Sequence, residues 1–267
     1  MLTERTFDTG QLTISYVEGP PSGPPVVLLH GGGDRWQDFL PIIPYLVMRW
    51  HVFALDLRGH GKSGRVAGHQ YRPDHYALDV IAFLKRELTE PVVLFGHSLG
   101  AWAALMAAAE EPEKVRGLIL GDSPPSMERF VTDTSREETI RFWRTIRDLA
   151  ASGHSVPQLA SELAVLTGSE TERDPSIRAY AKKLSQVDPD AAHYHVEGRL
   201  DDYVAEFDVD AAYRRLTCPV LLLQADPSHG AQMLDEDVDH ALSLLTDGLH
   251  VRLEGVGHGL GFYSWQV

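Results

Sequence analysis

Ser98 stands in the pentapeptide Gly96-His97-Ser98-Leu99-Gly100, whose residue types and spacing could present a hydroxyl for nucleophilic attack. The apolar residues 92–95 show no alternation, which predicts a strand buried on both faces, and an alanine-rich helical run follows the pentapeptide. The chain must therefore turn sharply from strand into helix within the pentapeptide. Such a turn requires small residues, and the two glycines let strand and helix approach each other. The serine then takes a strained backbone conformation that exposes its hydroxyl near the positive end of the helix dipole. A plain strand-to-helix turn is the alternative interpretation.

A second glycine-rich segment, His30-Gly31-Gly32-Gly33-Asp34, follows the buried strand predicted over residues 26–29. Glycines at the carboxyl end of a strand allow backbone N–H groups to face a ligand. We expect the amide of Gly32, or alternatively that of Gly33, to form an oxyanion hole together with the amide of Leu99. The alternative interpretation is a glycine-rich turn that leads into a helix near residues 36–46.

The elements that must position these groups alternate between strand and helix along the chain. Residues 1–19 alternate in the manner of an antiparallel hairpin at a sheet edge. Apolar runs predict further buried strands at 51–57, 115–122, 219–224 and 250–253. This order indicates an α/β protein with a doubly wound, mostly parallel sheet, whose ligands bind beyond the carboxyl ends of the strands. Ser98, Gly32 and Asp122 all fall at that edge.

Residues 126–212 show a different pattern, without a buried strand and with charged, amphipathic runs separated by glycine- and proline-containing breaks. We interpret this stretch as a helical cap, or lid, inserted into a core made of residues 1–125 and 213–267. Such a cap would exclude water and shape a substrate pocket. The candidate helices lie near 135–151, 156–166, 175–186 and 197–206.

The composition excludes several classes of partner. The chain of 267 residues has a formal net charge of −14, and its basic residues are scattered, so nothing supports binding to nucleic acid or to an anionic membrane. Cys218 is the only cysteine, which rules out an internal disulfide. We expect no secretory leader, because residues 1–6 lack the apolar segment of one, and no membrane-spanning helix, because no apolar run approaches about 20 residues. The sequence therefore predicts a cytoplasmic protein.

The loop at residues 58–64 contains three glycines, but its spacing fits neither the P-loop nor the dinucleotide-binding motif. We expect Asp56 and Arg58 to form a buried ion pair that shapes this loop. The histidines do not have the spacing of metal ligands. The sequence therefore predicts no cofactor and no metal, with a small molecule as the partner, and it leaves the oligomeric state open.

Together these motifs resemble those of the α/β-hydrolase fold superfamily, of the serine esterase and lipase type with a helical cap. The resemblance covers essentially the whole chain and rests on residues 30–33, 56–63, 96–100 and 257–259. It implies an eight-stranded sheet, a helical cap after strand six, and a serine, an acid and a histidine in that chain order. By this resemblance Ser98 attacks a carbonyl carbon, and His258 accepts its proton and later protonates the leaving group.

The acid that orients the histidine is where the sequence departs from the family pattern. The usual position, in a turn after strand seven, holds Ser228, which cannot carry the required charge. Some branches of the family, including lipases, take the acid from the end of strand six, where Asp122 stands. We prefer Asp122, with Asp226 as the alternative and the other carboxylate serving as a turn cap.

The resemblance implies a hydrolase of small carboxylic esters, with lactones as a further substrate class, because both pass through an acyl-serine intermediate. Serine at position 98 counts against haloalkane dehalogenases and epoxide hydrolases, relatives that use aspartate there. Hydrolysis of a carbon–carbon bond and perhydrolysis are alternatives on the same triad. A non-catalytic protein that binds a small ligand in the same fold is the alternative from a different class.

Overall fold

A single sheet of eight strands organises the part of the chain that the computed structural model describes, residues 1–123, 136–168, 171–205 and 207–261. The strand order is β1-β2-β4-β3-β5-β6-β7-β8. The strands are β1 Thr3–Asp8, β2 Thr13–Glu18, β3 Pro25–Leu29, β4 His51–Leu55, β5 Val92–His97, β6 Val115–Gly121, β7 Val220–Ala225 and β8 Gly248–Leu253. The pair β1 and β2 is antiparallel, β2 runs antiparallel to β4, and the remaining pairs are parallel. The predicted α/β class, the mostly parallel sheet and its eight strands are confirmed.

Helices cover both faces of the sheet and continue between β6 and β7. Their bounds are α1 Ile43–Leu46, α2 Pro73–Glu87, α3 Leu99–Glu110, α4 Arg136–Ala151, α5 Val156–Thr167, α6 Pro175–Leu184, α7 His193–Val196, α8 Leu200–Val204, α9 Val209–Arg215 and α10 Asp235–Leu244. Short 3₁₀ turns lie at Trp36–Phe39, Pro112–Lys114, Pro189–Ala192 and Pro227–His229. One apolar cluster lies between the sheet and α2 and α3, and a second packs Trp36 and Phe39 on the opposite face.

The parallel register brings the carboxyl ends of the central strands to one edge. Leu29 at the end of β3 pairs with Gly96, and His97 at the end of β5 pairs with Gly121. Gly121 in turn pairs with Leu223 near the end of β7. The segments that follow β3, β5 and β6 therefore lie side by side, as ligand sites in this architecture require.

Six helices, α4 to α9, lie between β6 and β7 within the described ranges. The helices predicted to start near residues 135, 156 and 175 start at Arg136, Val156 and Pro175. The fourth predicted helix, 197–206, is shorter, with α8 at Leu200–Val204. Helices α4 to α6 enclose an apolar cluster of their own. The domain division at residues 126 and 212 stays a prediction, because residues 124–135 lie outside the described part of the chain.

The predicted ion pair between Asp56 and Arg58 is wrong. Arg58 instead pairs with Asp79 of α2 through Nε and Nη2, at 2.7 and 2.8 Å. Asp56 accepts the amides of Trp36 and Lys62, both at 2.9 Å. Both residues lie beyond β4, which ends at Leu55, so strand alternation does not hold them on one face, and each binds the element that packs against it.

Nothing among the described helices combines the length and the apolar character needed to cross a lipid bilayer. The cytoplasmic location stays a prediction.

Candidate active site

Ser98 occupies a strained turn between β5 and α3. Its backbone has φ 51° and ψ −118°, outside the regions that L-residues favour. The turn is tight because α3 returns directly over the strands: a Cβ on Gly96 would lie 2.2 Å from the Gly100 carbonyl oxygen. A Cβ on Gly100 would lie 2.3 Å from the carbonyl oxygen of Leu29. Both glycines are therefore required by close backbone contact, and the predicted geometry around Ser98 is present.

The contact at Gly100 predicts a large loss of stability for Gly100→Ala. The new methyl group would overlap backbone, which cannot rotate away, so we expect the free energy of unfolding to fall by about 1–3 kcal/mol or more. Gly117→Ala is the matched control, since its Cβ would lie 3.6 Å from Val93 Cγ2, an ordinary contact. We expect that variant to change the free energy by less than about 1 kcal/mol. Urea unfolding of both measures the difference, and equal effects would contradict this view of the turn.

His258 lies between Ser98 and Asp122 in one hydrogen-bonded row. Its Nε2 is 3.2 Å from Ser98 Oγ, and its Nδ1 is 2.7 Å from Asp122 Oδ2. The buried His97 donates from Nε2 to the His258 carbonyl oxygen at 2.7 Å, which fixes the loop that carries His258. Three residues that are far apart in sequence are thus brought together, in the order that activates a serine hydroxyl.

Asp122 is completely buried, at the end of β6, and its backbone has φ 42°. Besides His258, its carboxylate accepts the amides of Ala225 at 3.2 Å, Gln232 at 2.9 Å and Met233 at 3.2 Å. Four donors therefore satisfy a buried acid, as a buried carboxylate requires.

Asp226, the alternative acid, faces a different set of partners. It accepts the amide and the hydroxyl of Ser228, at 2.9 and 2.7 Å, and the amide of Gly255 at 2.8 Å. The bond from the Ser228 hydroxyl, followed by the two amides, holds the pKa of Asp226 below its usual value. Its histidine neighbour is His229, at 3.1 Å. The structure brings Asp122 to His258 and leaves Asp226 as a turn cap.

The two candidate oxyanion glycines differ in what their amides do. The Gly33 amide donates to His60 Nε2 at 3.0 Å, so it is already occupied. Among the described residues, the amides of Gly32 and Leu99 have no hydrogen-bond acceptor, and both residues line the same cavity as Ser98. The geometry therefore favours Gly32 over Gly33. The role of His60 was missed, because nothing in the sequence pairs it with Gly33.

The cavity that contains Ser98 and His258 has a volume of about 960 Å³. Much of its wall is apolar or aromatic, with Leu99, Trp102, Phe142, Trp143, Ile146 and Tyr203. Trp143 of α4 reaches the glycine-rich loop, since a Cβ on Gly32 would lie 2.8 Å from its Cη2 atom. Helices between β6 and β7 therefore form one side of the site.

Several buried histidines around the site are neutral because burial lowers their pKa. This effect brings the pKa of His30 to about 3 and those of His97 and His195 to about 4. His60 is shifted in the same direction by the same cause. His30 and His60 each accept a backbone amide, from Leu57 and Gly33 respectively, so protonation would break bonds that shape the loops of the site.

These lowered pKa values predict that acid destabilises the fold. Unfolded histidines have a pKa near 6.5, so the unfolded chain binds more protons as the pH falls from about 6.5 toward 4. Each shifted histidine then removes about 1 kcal/mol of unfolding free energy per pH unit. Burial raises the pKa of the carboxyls of Asp38, Asp56 and Asp79, and this opposing effect grows at the acid end. Urea unfolding between pH 7.5 and 5 should show a steady decrease in the free energy of unfolding. A constant free energy over that range would refute this prediction.

Comparison with known proteins agrees with this architecture. A model of the family described as alpha/beta hydrolase fold matches residues 24–262. The 2-(acetamidomethylene)succinate hydrolase of Mesorhizobium japonicum is 27% identical over 235 residues, which cover 84% of this chain and 78% of that protein. A pimeloyl-[acyl-carrier protein] methyl ester esterase of Xylella fastidiosa is 27% identical over 189 residues, covering 65% and 71%. The crystal structure of E-2-(acetamidomethylene)succinate hydrolase superposes with a TM-score of 0.72 at 23% identity, covering 99% and 95%.

Proposed function

We propose that this chain, which belongs to the α/β-hydrolase fold family, is a serine hydrolase that cleaves carboxylic esters through an acyl-serine intermediate. The observation that carries the proposal is the hydrogen-bonded row from Asp122 through His258 to Ser98, beside the amides of Gly32 and Leu99. Its substrate is a small molecule, and the chemistry needs no cofactor.

In this mechanism Ser98 Oγ attacks the carbonyl carbon while His258 Nε2 takes the hydroxyl proton. Asp122 accepts the Nδ1–H of His258, which fixes the tautomer and stabilises the imidazolium. The negative oxygen of the tetrahedral intermediate receives hydrogen bonds from the amides of Gly32 and Leu99. Collapse of the intermediate releases the alcohol with the proton from His258, and a water molecule then hydrolyses the acyl-serine by the same steps.

Lactones fit the same steps, because the alcohol released from a lactone stays attached to the acyl group. Of the two similar proteins named above, one is a hydrolase of 2-(acetamidomethylene)succinate and the other an esterase of a methyl ester. We take esters as the substrate because Ser98, His258 and the two amides supply what acyl transfer from an ester needs.

Release of p-nitrophenol from p-nitrophenyl esters tests the proposal. If deacylation is the slower step, we expect a burst of p-nitrophenol close to one equivalent of enzyme, followed by steady turnover. If acylation is slower, we expect steady turnover alone. Acyl lactones are assayed in parallel by pH-stat. A protein that turns over neither esters nor lactones of any acyl length, yet binds them, would be the non-catalytic ligand-binding protein and would overturn the proposal.

The size and apolar walls of the cavity predict a preference among acyl chains. Pockets of roughly 300–1,000 Å³ accommodate drug-sized ligands, and this one lies at the upper end, so acetate would leave most of it unfilled. Each methylene that becomes buried contributes up to about 0.8 kcal/mol, or about fourfold in kcat/KM. We expect kcat/KM to rise from the acetyl to the octanoyl ester of p-nitrophenol. A monotonic decrease along that series would contradict this prediction.

A further inference from the structure

Lys183 of α6 is a buried lysine at the boundary between the helices that follow β6 and the glycine-rich loop that follows β3. Only 6% of its surface is exposed. Its Nζ lies 2.6 Å from Asp34 Oδ1 and 3.2 Å from Asp38 Oδ1, and 5.7 Å from the centre of the Tyr180 ring. A lysine so deeply buried requires compensating charge, and the two carboxylates supply it.

Both carboxylates belong to the loop that carries Gly32. The Asp34 amide donates to the Gly31 carbonyl oxygen at 3.1 Å, which closes a turn around Gly32 and Gly33. Asp38 Oδ2 accepts the Arg35 amide at 2.9 Å and so begins the 3₁₀ turn Trp36–Phe39. The loop is therefore shaped by the backbone of Asp34 and the side chain of Asp38, two residues whose carboxylates Lys183 binds.

A second contact from the same region supports this arrangement. Just beyond α6, Gln186 Oε1 accepts a hydrogen bond from Arg35 Nη1 at 2.7 Å. On the core side, His60 accepts the Gly33 amide. The loop is thus held from two directions, by the core through His60 and by α6 and the residues after it through Lys183 and Gln186.

We propose that Lys183 is a positioning residue, which acts through Asp34 and Asp38 to hold the Gly32 amide in the place where it meets the developing oxyanion. The inference rests on the proposed function. Without the ammonium group, two largely buried carboxylates would lose the cation between them, and the loop that carries them would shift to separate or hydrate them. Burial and the neighbouring Asp34 already raise the pKa of Asp38, which shows how poorly this place tolerates a second negative charge. Displacement of a catalytic donor by about 1 Å can lower a rate by about 100-fold.

Lys183→Met tests the proposal, with Lys182→Met as the matched control. Lys182 is the preceding residue of the same helix and is exposed. We expect kcat of Lys183→Met on the best p-nitrophenyl ester to fall by about 10- to 100-fold, with KM within about threefold, because the interaction lost is one made in the transition state. Lys182→Met keeps the wild-type values. Lys183→Arg, which keeps the charge, loses less than about tenfold in kcat.

A double-mutant cycle tests the route of the effect. If Lys183 acts through Asp34, then Asp34→Asn also lowers kcat, and the double variant is no worse than Lys183→Met alone. Losses that multiply would contradict a shared route. A rise in KM with kcat unchanged would also overturn the proposal, since it would make Lys183 a substrate-binding residue.

Hydrogen–deuterium exchange provides a readout that does not depend on catalysis. We expect amides of residues 31–39 to exchange at least about tenfold faster in Lys183→Met than in Lys182→Met, with α3 unchanged. Exchange that rises uniformly over the whole chain would show a merely structural role, and unchanged exchange in the loop would refute the positioning effect. If the wild-type protein hydrolyses no ester, the proposed function fails, while this exchange experiment still decides whether Lys183 orders the loop.

Discussion

Ser98→Ala is expected to lower kcat for ester hydrolysis by about 10⁶-fold, the loss typical of removing a serine nucleophile whose base remains in place. The variant keeps His258, Asp122 and the two amides, but it has no oxygen 3.2 Å from His258 Nε2 to attack the substrate. A residual rate above that in water would come from binding and from the oxyanion amides. The measurement is kcat on the best p-nitrophenyl ester, with the fold verified by circular dichroism.

Ser228→Ala is the matched control for this substitution. Ser228 lies in the short turn Pro227–His229, and its hydroxyl bonds to Asp226 and to the ring of His229 rather than to His258. We expect its kcat to remain within about twofold of wild type, as for a surface substitution. Hydrolysis by Ser98→Ala at a rate close to wild type would mean that another group attacks the substrate, and it would refute the proposed nucleophile.

Asp122→Asn is expected to lower kcat by about 10⁴-fold, whereas Asp226→Asn leaves it within about threefold. The carboxylate of Asp122 accepts the Nδ1–H of His258 at 2.7 Å, and this bond sets the tautomer in which Nε2 can take a proton. An amide at this position favours the opposite tautomer. Within the described ranges, the Asp226 carboxylate bonds to Ser228, His229 and Gly255, and to neither His258 nor Ser98.

Both variants must be compared as folded proteins, because Asp122 also accepts three backbone amides. Urea unfolding gives the stability of each variant. The kcat is then measured under conditions that leave about 3 kcal/mol or more of unfolding free energy, so that more than 95% of each variant is folded. A greater loss in Asp226→Asn than in Asp122→Asn would contradict the assignment of the acid.

The features that the sequence predicts best are those set by neighbours in the chain. The turn at Ser98 depends on Gly96 and Gly100, which stand within two residues of it, and the observed φ of 51° agrees with the prediction. The buried strands depend on short apolar runs, and β3 is buried along its whole length. The alternation of strands and helices strongly limits the possible strand orders. It thereby predicts that the site lies at the carboxyl ends of the strands.

The details that the sequence leaves open are set by contacts between distant residues. The choice between Gly32 and Gly33 depends on His60, whose imidazole occupies the Gly33 amide. Whether Asp122 or Asp226 pairs with His258 depends on the position of the loop that His97 fixes through the His258 carbonyl oxygen. The predicted pair of Asp56 and Arg58 fails because Arg58 reaches α2, and Lys183 stays unnoticed because its partners precede it by about 150 residues.

Covalent modification of Ser98 is tested with a reagent that reacts only with an activated serine. The protein is treated with diethyl p-nitrophenyl phosphate, which phosphorylates activated serines, and is then digested and mapped by mass spectrometry. We expect one diethylphosphoryl group per chain, on the peptide that contains Ser98, with loss of esterase activity in proportion to labelling. An active protein that remains unlabelled at Ser98, or one inactivated by a label elsewhere, would contradict it.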